Sequence, residues 1–193
     1  KVADTTGMSI EDVEALIEAE DIMYPGVANF NAIVEKAVQR SAIPFRDAIR
    51  GFRTYRRGFW QSPTGCMYSF RSWDAPEFLK KKGIQDSFSP PELKNYPVQG
   101  TGGEVAQMVL GRLWRHFVAN ENYGGKALLV NTVHDCEWTD CHKDVLTEVC
   151  KDTKRIMESV PELMNEIYGM DVLVPFPVEV ECGPNMLELK HAA

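Results

Sequence analysis

Leu128-Leu129-Val130-Asn131-Thr132-Val133-His134-Asp135 is an apolar run that stops on an acid. With Ala127 in front it reads as a buried strand, with His134-Asp135 as a tight turn and Cys136-Glu137-Trp138-Thr139 as the returning strand. An acid at the tip of such a hairpin, carried by two apolar strands, is a rigid mount for a metal-binding carboxylate. Carboxylate oxygens with water suit the hard ion Mg²⁺, and phosphates usually complete its shell. Asp is also what a hairpin turn selects for backbone reasons, so the segment takes its meaning from its surroundings.

Upstream, Ser9-Ile10-Glu11-Asp12 fits a helix N-terminus, with a hydroxyl at the cap and a carboxylate three residues on. Ile10, Val13, Leu16 and Ile17 then recur at helical spacing to about Met23, where Tyr24-Pro25-Gly26 ends the helix. Val27, Phe30, Ile33, Val34, Ala37 and Val38 give a second helix ending near Ser41. Residues 44 to 95 hold Arg, aromatics, Pro and Gly without a sustained period. Two short strands are expected at Gly58–Gln61 and Met67–Phe70, joined by Ser62-Pro63-Thr64-Gly65, and a loop runs from Lys80 to Pro91. Val105, Met108, Val109, Leu113 and Phe117 share one face of a helix expected over Gly100–Phe117. A further helix is expected from His142 to about Ser159. Residues 176–182 alternate as a strand, with Val178, Val180 and Cys182 inward and Glu179 and Glu181 outward. The pattern is α+β: an antiparallel sheet with packed helices. The division read from it puts a helical part and a basic hairpin region in 1–95, and the segment with the His-Asp hairpin and closing strand in 96–193.

The chain has 193 residues, is 44% apolar and carries a net charge of −7. That is enough for the core of one ordinary domain, with room for an appended lobe. No run of apolar residues is long enough to span a membrane. Five cysteines without framework spacing read as free thiols of a reducing cytosol. The grouping of Cys136, Cys141, His142 and Cys150 lacks paired Cys-x-x-Cys spacing and is not read as a zinc site. The charge is uneven: 13 Lys and Arg stand against 6 Asp and Glu between Arg40 and Arg115, and 8 against 22 elsewhere. A basic middle on an acidic chain suits phosphate contact in one groove, and it equally describes a solvated face. Arg46, Arg50, Arg53, Arg56 and Arg57 would share a face if helical, with Phe45, Phe52 and Tyr55 interleaved. Trp114, Trp138 and the methionines read as core.

The surroundings give the hairpin its meaning. Asn95-Tyr96-Pro97-Val98-Gln99-Gly100-Thr101-Gly102-Gly103-Glu104, an amphipathic helix, a short link and Val133-His134-Asp135, with Gln99 and Asp135 36 positions apart, resemble the family A (DNA polymerase I-like) DNA polymerases. There an Asn-x-Pro-x-Gln-Gly-Thr segment opens a helix and a Val-His-Asp hairpin of the palm follows. Thr6-Gly7-Met8-Ser9 with Glu11, and Tyr24-Pro25-Gly26-Val27, look like the fingers segment just after the nucleotide-binding helix. Gly58 to Arg71 sits where the family has a Gly-x-x-x-Thr…Gly-Arg hairpin. Phe176 to Gly183 with Asn185 is similar to its closing strand. Residues 72–90 have no counterpart and read as an insertion, which together with the motif wording looks more like a bacteriophage enzyme than a bacterial one.

The resemblance implies a palm-type sheet and a helical fingers remnant, parts of a right-hand polymerase fold. It implies Asp135 as the catalytic residue and as a ligand to two Mg²⁺ ions. His134, Gln99, Asn95 and Arg71 would contact primer and template, and Glu137 is a candidate auxiliary acid. The substrates would be primer–template DNA and a dNTP, in the cytoplasm, that of the host if phage-encoded. The departures are Cys136 where the family has an acid, Gly102-Gly103-Glu104 in place of Ala-Ala-Asp, and Met186 or Leu187 in place of a closing Trp. The family's first catalytic aspartate and its nucleotide-binding helix would lie upstream of Lys1. The chain therefore reads as one piece of a split, nicked or longer polymerase that needs an N-terminal polypeptide. The rival readings are a noncatalytic DNA-binding module on the same scaffold and a fragment of a single-subunit RNA polymerase.

Overall fold

The computed structural model describes residues 7–49, 51 and 53–191. Thr6 of the Thr6–Ser9 motif, and Arg50 and Phe52 of the arginine-aromatic run, lie outside the described residues. The chain divides into two compact units, Lys1–Val98 and Gln99–Ala193. Helices and antiparallel strands together make a mixed α+β architecture.

In the first unit, α1 (Ile10–Met23) and α2 (Pro25–Arg40) occupy the expected positions. Ser9 Oγ accepts the Asp12 amide at 3.0 Å, the N-cap bond that starts α1. Tyr24 separates the helices, and Pro25 begins α2, where a missing N–H costs nothing. Four antiparallel strands follow in the order β1 (Ile43–Asp47), β2 (Arg53–Gln61), β3 (Met67–Asp74) and β4 (Asp86–Phe88), with the short helix α3 (Glu77–Lys80) between the last two. The sheet is larger than the two short strands expected, and β4 forms inside the stretch read as a loop and an insertion. The arginines are therefore on strands and not on one helical face: Arg46 lies on β1, and Arg53, Arg56 and Arg57 lie on β2. Alternation sends Arg56 and Arg57 to opposite faces.

Val34 and Val38 of α2 are fully buried in a core with Trp60, Tyr68, Phe70, Phe88 and Leu93. Ser41 Oγ accepts the Phe59 amide at 2.7 Å, which clips the end of α2 to β2. The helix sits so low on the strand that a Cβ at Gly58 would collide with the Val38 carbonyl oxygen and come within 2.6 Å of Val38 Cγ1. Glycine is required there for closeness of approach.

Helix α4 (Pro90–Ala119) starts ten residues before the expected Gly100, so the Asn95–Glu104 motif lies inside it. The start is fixed by Leu93, whose amide bonds the Ser89 carbonyl at 3.0 Å and whose side chain is buried. Anchoring of this turn outweighs the hydrogen bond that Pro97 removes from the helix interior. In the second unit, Val109, Leu113 and Phe117 of α4 pack with Ala127, with Val149 and Ile156 of α5 (Leu146–Glu158), and with Val160, Leu163 and Met164 of α6 (Val160–Tyr168). This is the apolar face expected of α4, although Trp114 on its other side is 60% exposed and not core. Helix α5 begins later than His142 because His142–Val145 is used in a turn, with the Val145 amide on the His142 carbonyl.

The link between α4 and the hairpin has left-handed backbone from Glu121 to Gly125, with φ of 51° at Glu121 and 57° at Tyr123. Non-glycine residues resist that region, and Tyr123 is held in it from several sides. Its ring lies 5.3 Å edge-on from Phe117, and its hydroxyl donates to Asp152 Oδ2 at 3.0 Å. His116 Nε2 and the Arg155 guanidinium also bond Asp152, at 3.0 and 3.1 Å. Burial pushes the Asp152 carboxyl up, but these three bonds outweigh it and hold its pKa below the usual carboxylate value.

The close approach of α2 to β2 makes a direct prediction. Gly58→Ala should cost about 1–3 kcal/mol in a denaturant melt, as overpacking does, whereas Gly102→Ala, where an added Cβ meets nothing within 4 Å, should not destabilise.

Candidate functional site

The hairpin expected from the sequence forms. Strands β5 (Ala127–Val133) and β6 (Cys136–Cys141) pair antiparallel from Ala127↔Cys141 to Val133↔Cys136, and His134-Asp135 is the turn. Two-residue hairpin turns need a positive φ at the first central residue, and His134 supplies it with φ 58°. A bulge at Val130 shifts the register between Leu129 and Asn131, which bends the tip relative to the base. The base is anchored by Ala127, which is fully buried, and by the His142 amide on the Lys126 carbonyl at 2.7 Å. Beyond it β5 is not the buried strand expected: Leu128, Val130 and Val133 are exposed.

Asp135 is therefore an exposed carboxylate placed by backbone geometry. Among the described residues it makes no side-chain hydrogen bond or ion pair. It stands at the rim of a cavity of about 840 Å³ bounded by β6, α5 and residues 177–184. Residues 177–184 of the tail line this cavity, and Phe176, Val178, Val180 and Cys182 are less exposed than their neighbours, in the alternation expected. Only Glu181–Cys182 (β7) is strand-paired, with Lys190–His191 (β8). Pro177 cannot donate to a ladder, and among the described residues no partner strand runs beside the rest.

Glu137 pairs with Thr132 across the hairpin and accepts its hydroxyl at 3.4 Å on Oε1. Its Oε2 is buried without a partner, and burial raises its pKa above the ordinary carboxyl value. Trp138 Nε1 and Thr153 Oγ1 are likewise buried and unbonded, and all three residues line the cavity. Trp138 is thus half-buried at this cavity and not part of the apolar core. Burial raises the Cys136 thiol pKa, and the negative charges of Asp135, Glu137 and Glu181 raise it further. All five cysteines are free thiols.

The other residues singled out from the sequence are placed separately. Gln99 is exposed on α4, at the start of the second unit. Asn95 and Arg71 are exposed in the first unit, on α4 and β3. The second unit thus brings Asp135, His134 and Glu137 together on one hairpin. The lone carboxylate of Asp135 fits one corner of a Mg²⁺ site. No group of three His, Cys, Asp or Glu side chains among the described residues could hold a metal ion, so a complete site would require donors from elsewhere. Sequence reading missed the unbonded Trp138 and Thr153 and the Tyr123–Asp152–His116 network. Each joins residues distant in the chain, and no spacing marks them.

Over 93 residues, 47% of this chain, the sequence is 38% identical to a protein named DNA polymerase from Bacillus phage SP01. The matched stretch is 9% of that protein's length. No protein-family profile matches the chain, and no solved structure matches it. No described helix is long and apolar enough to cross a membrane.

The crowding of negative charge at the hairpin tip has a measurable consequence. A thiol with a raised pKa carries less thiolate, so alkylation of Cys136 by iodoacetamide should be slower than that of free cysteine near neutral pH and should accelerate as pH rises. Asp135→Asn removes one of the charges that raise it. That variant should react faster at fixed pH, read by mass spectrometry of the modified peptide.

Proposed function

We propose that this chain is the C-terminal part of the polymerase domain of a family A DNA polymerase. It would contain a remainder of the fingers and the palm segment with its His-Asp hairpin, as parts of a right-hand fold. The observation that supports this most is the unpartnered Asp135 carboxylate, exposed at the tip of a hairpin and 36 positions after Gln99. The partial likeness to a phage protein named DNA polymerase supports the coarser part of this reading, a DNA polymerase.

In this reading Asp135 is the catalytic metal ligand. It would hold Mg²⁺ together with a carboxylate that the described residues do not provide, and that N-terminal polypeptide would also bring the nucleotide-binding helix. When bound, a pair of Mg²⁺ ions supplies activation of the primer 3′-hydroxyl and stabilises charge on the transferring and leaving oxygens. The protein's own contribution is positional. The backbone of the turn, with its positive φ at His134, fixes Asp135, and His134 would lie under the primer terminus. Asn95 would contact primer or template, and Gln99 would hydrogen-bond in the minor groove, where acceptors on purine N3 and pyrimidine O2 are shared by all base pairs. Such contacts check pair shape without reading sequence. Arg71 would contact the template–primer. Glu137, largely turned into the cavity, would be auxiliary at most. The partners are primer–template DNA and dNTP, and the site of action is the cytoplasm of a host cell if the protein is phage-encoded.

Primer extension with Mg²⁺ and dNTPs tests the assignment, using the chain alone and then combined with the polypeptide expected upstream. Extension should require both pieces, and Asp135→Ala should reduce its rate about a thousandfold, the effect of losing several kcal/mol of metal-borne stabilisation. Extension that survives Asp135→Ala would contradict the catalytic role. DNA binding without extension would favour a noncatalytic module. Preference for rNTP over dNTP would favour an RNA polymerase.

A further inference from the structure

The four arginines of β2 and β3 are of two kinds. Arg53 is paired with Asp74 at 3.0 Å, and Arg56 with Asp86 at 2.7 Å. Arg57 and Arg71 have no carboxylate. Among the described residues neither guanidinium makes an ion pair or hydrogen bond, and Arg57 Nε is buried with nothing to donate to. The two are direct cross-strand partners on β2 and β3, so their side chains leave the same face directly opposite one another. Like charges placed there repel.

Both guanidinium groups nevertheless lean over a single ring from β1. Arg57 Cζ lies 4.0 Å and Arg71 Cζ 5.3 Å from the centroid of Phe45. The ring face attracts both cations but offers no hydrogen-bond acceptor, so their N–H donors remain unused. A pair of unneutralised, donor-rich cations converging on one point is complementary to an oxyanion. Phosphate in particular matches the planar fork of arginine through paired N–H···O bonds.

We infer that Arg57, Phe45 and Arg71 form a binding site for a backbone phosphodiester of nucleic acid. The choice of phosphodiester over other oxyanions rests on the polymerase reading above, and it agrees with the local excess of 13 Lys and Arg over 6 Asp and Glu between Arg40 and Arg115. Phe45 is covered by the guanidinium groups and is not available to stack a base, so the site reads no sequence. Phe45 acts as a positioning residue that holds the two cations together. The anion would remove the repulsion between them, so the site is electrostatically relaxed only when occupied.

Fluorescence anisotropy of the full protein with a labelled primer–template, over a series of salt concentrations, tests this. Each phosphate neutralised contributes about 0.9 to the slope of log affinity against log salt. Arg57→Gln with Arg71→Gln should flatten the slope by about one to two and weaken binding at least tenfold at low salt. The Arg→Lys pair should keep most of the slope and lose affinity. Without DNA, the double Gln variant should melt no lower than wild type, and sulfate at low concentration should raise the melting temperature of wild type more than that of the variant, beyond the general stabilisation sulfate gives any fold. If the double variant does not fold, Arg71→Gln alone, at an exposed position, should flatten the slope by about one. An unchanged slope and affinity in a folded variant would overturn the proposal. Protection by sulfate, or binding of an acidic peptide, without any change in the DNA slope would overturn its assignment to nucleic acid. The polymerase reading is judged separately by Asp135→Ala in primer extension at saturating DNA, and it stands if that variant is inactive, whatever the arginine variants do.

Discussion

Burial of Leu113 and Phe117 against Ala127 and the faces of α5 and α6 is the constraint on which the hairpin depends. Side chains of this size contribute about 1.5–3 kcal/mol each when fully buried. Ala127 is small, fully buried and the first residue of β5, so the strand leaves the core at a fixed point. The Ala127↔Cys141 pair closes the hairpin at that point, and the ladder carries the chain out to the exposed turn. The position of Asp135 therefore follows from packing at the far end of the hairpin and from backbone pairing along it. Its own side chain makes no contact that fixes it, which leaves the carboxylate available.

The tip is crowded with negative charge. Asp135, Glu137 and Glu181 all raise the neighbouring Cys136 thiol. Without a cation the cluster is self-repelling, and burial holds Glu137 toward its neutral form. A divalent ion at Asp135 would relieve that field. The Arg57–Arg71 pair in the other unit has the opposite sign and the same logic, being like charges left unneutralised beside a surface.

Much of this was legible in the chain. Ser9 and Tyr24-Pro25 mark the ends of two helices by local chemistry, and local chemistry survives folding. The hairpin was legible because an apolar run, a two-residue turn and a returning strand lie within one short window. What was hidden depends on partners distant in sequence. Strand β4 is short and polar, with Asp86 and Ser87, and exists because β3 offers it an edge. Helix α4 begins at Pro90 because Leu93 finds a core, against the local signal of Pro97. The tail alternates as its pattern requires but lacks a neighbouring strand along most of its length, so periodicity identified its faces and overstated its pairing. The arginines were read as one helical stripe. On strands they divide between two faces, Arg56 on one and Arg53 with Arg57 on the other, and which of them finds a carboxylate is decided by the neighbouring strands.

The central claim is that Asp135 supplies one corner of a divalent-metal site completed by residues outside this chain. Electron paramagnetic resonance of free Mn²⁺, titrated with the chain alone and with the chain plus its upstream polypeptide, tests it most directly. The claim predicts weak binding to the chain alone, tight binding to the combined protein, and loss of the tight site with Asp135→Asn. Tight binding that persists in the Asp135→Asn protein would contradict it.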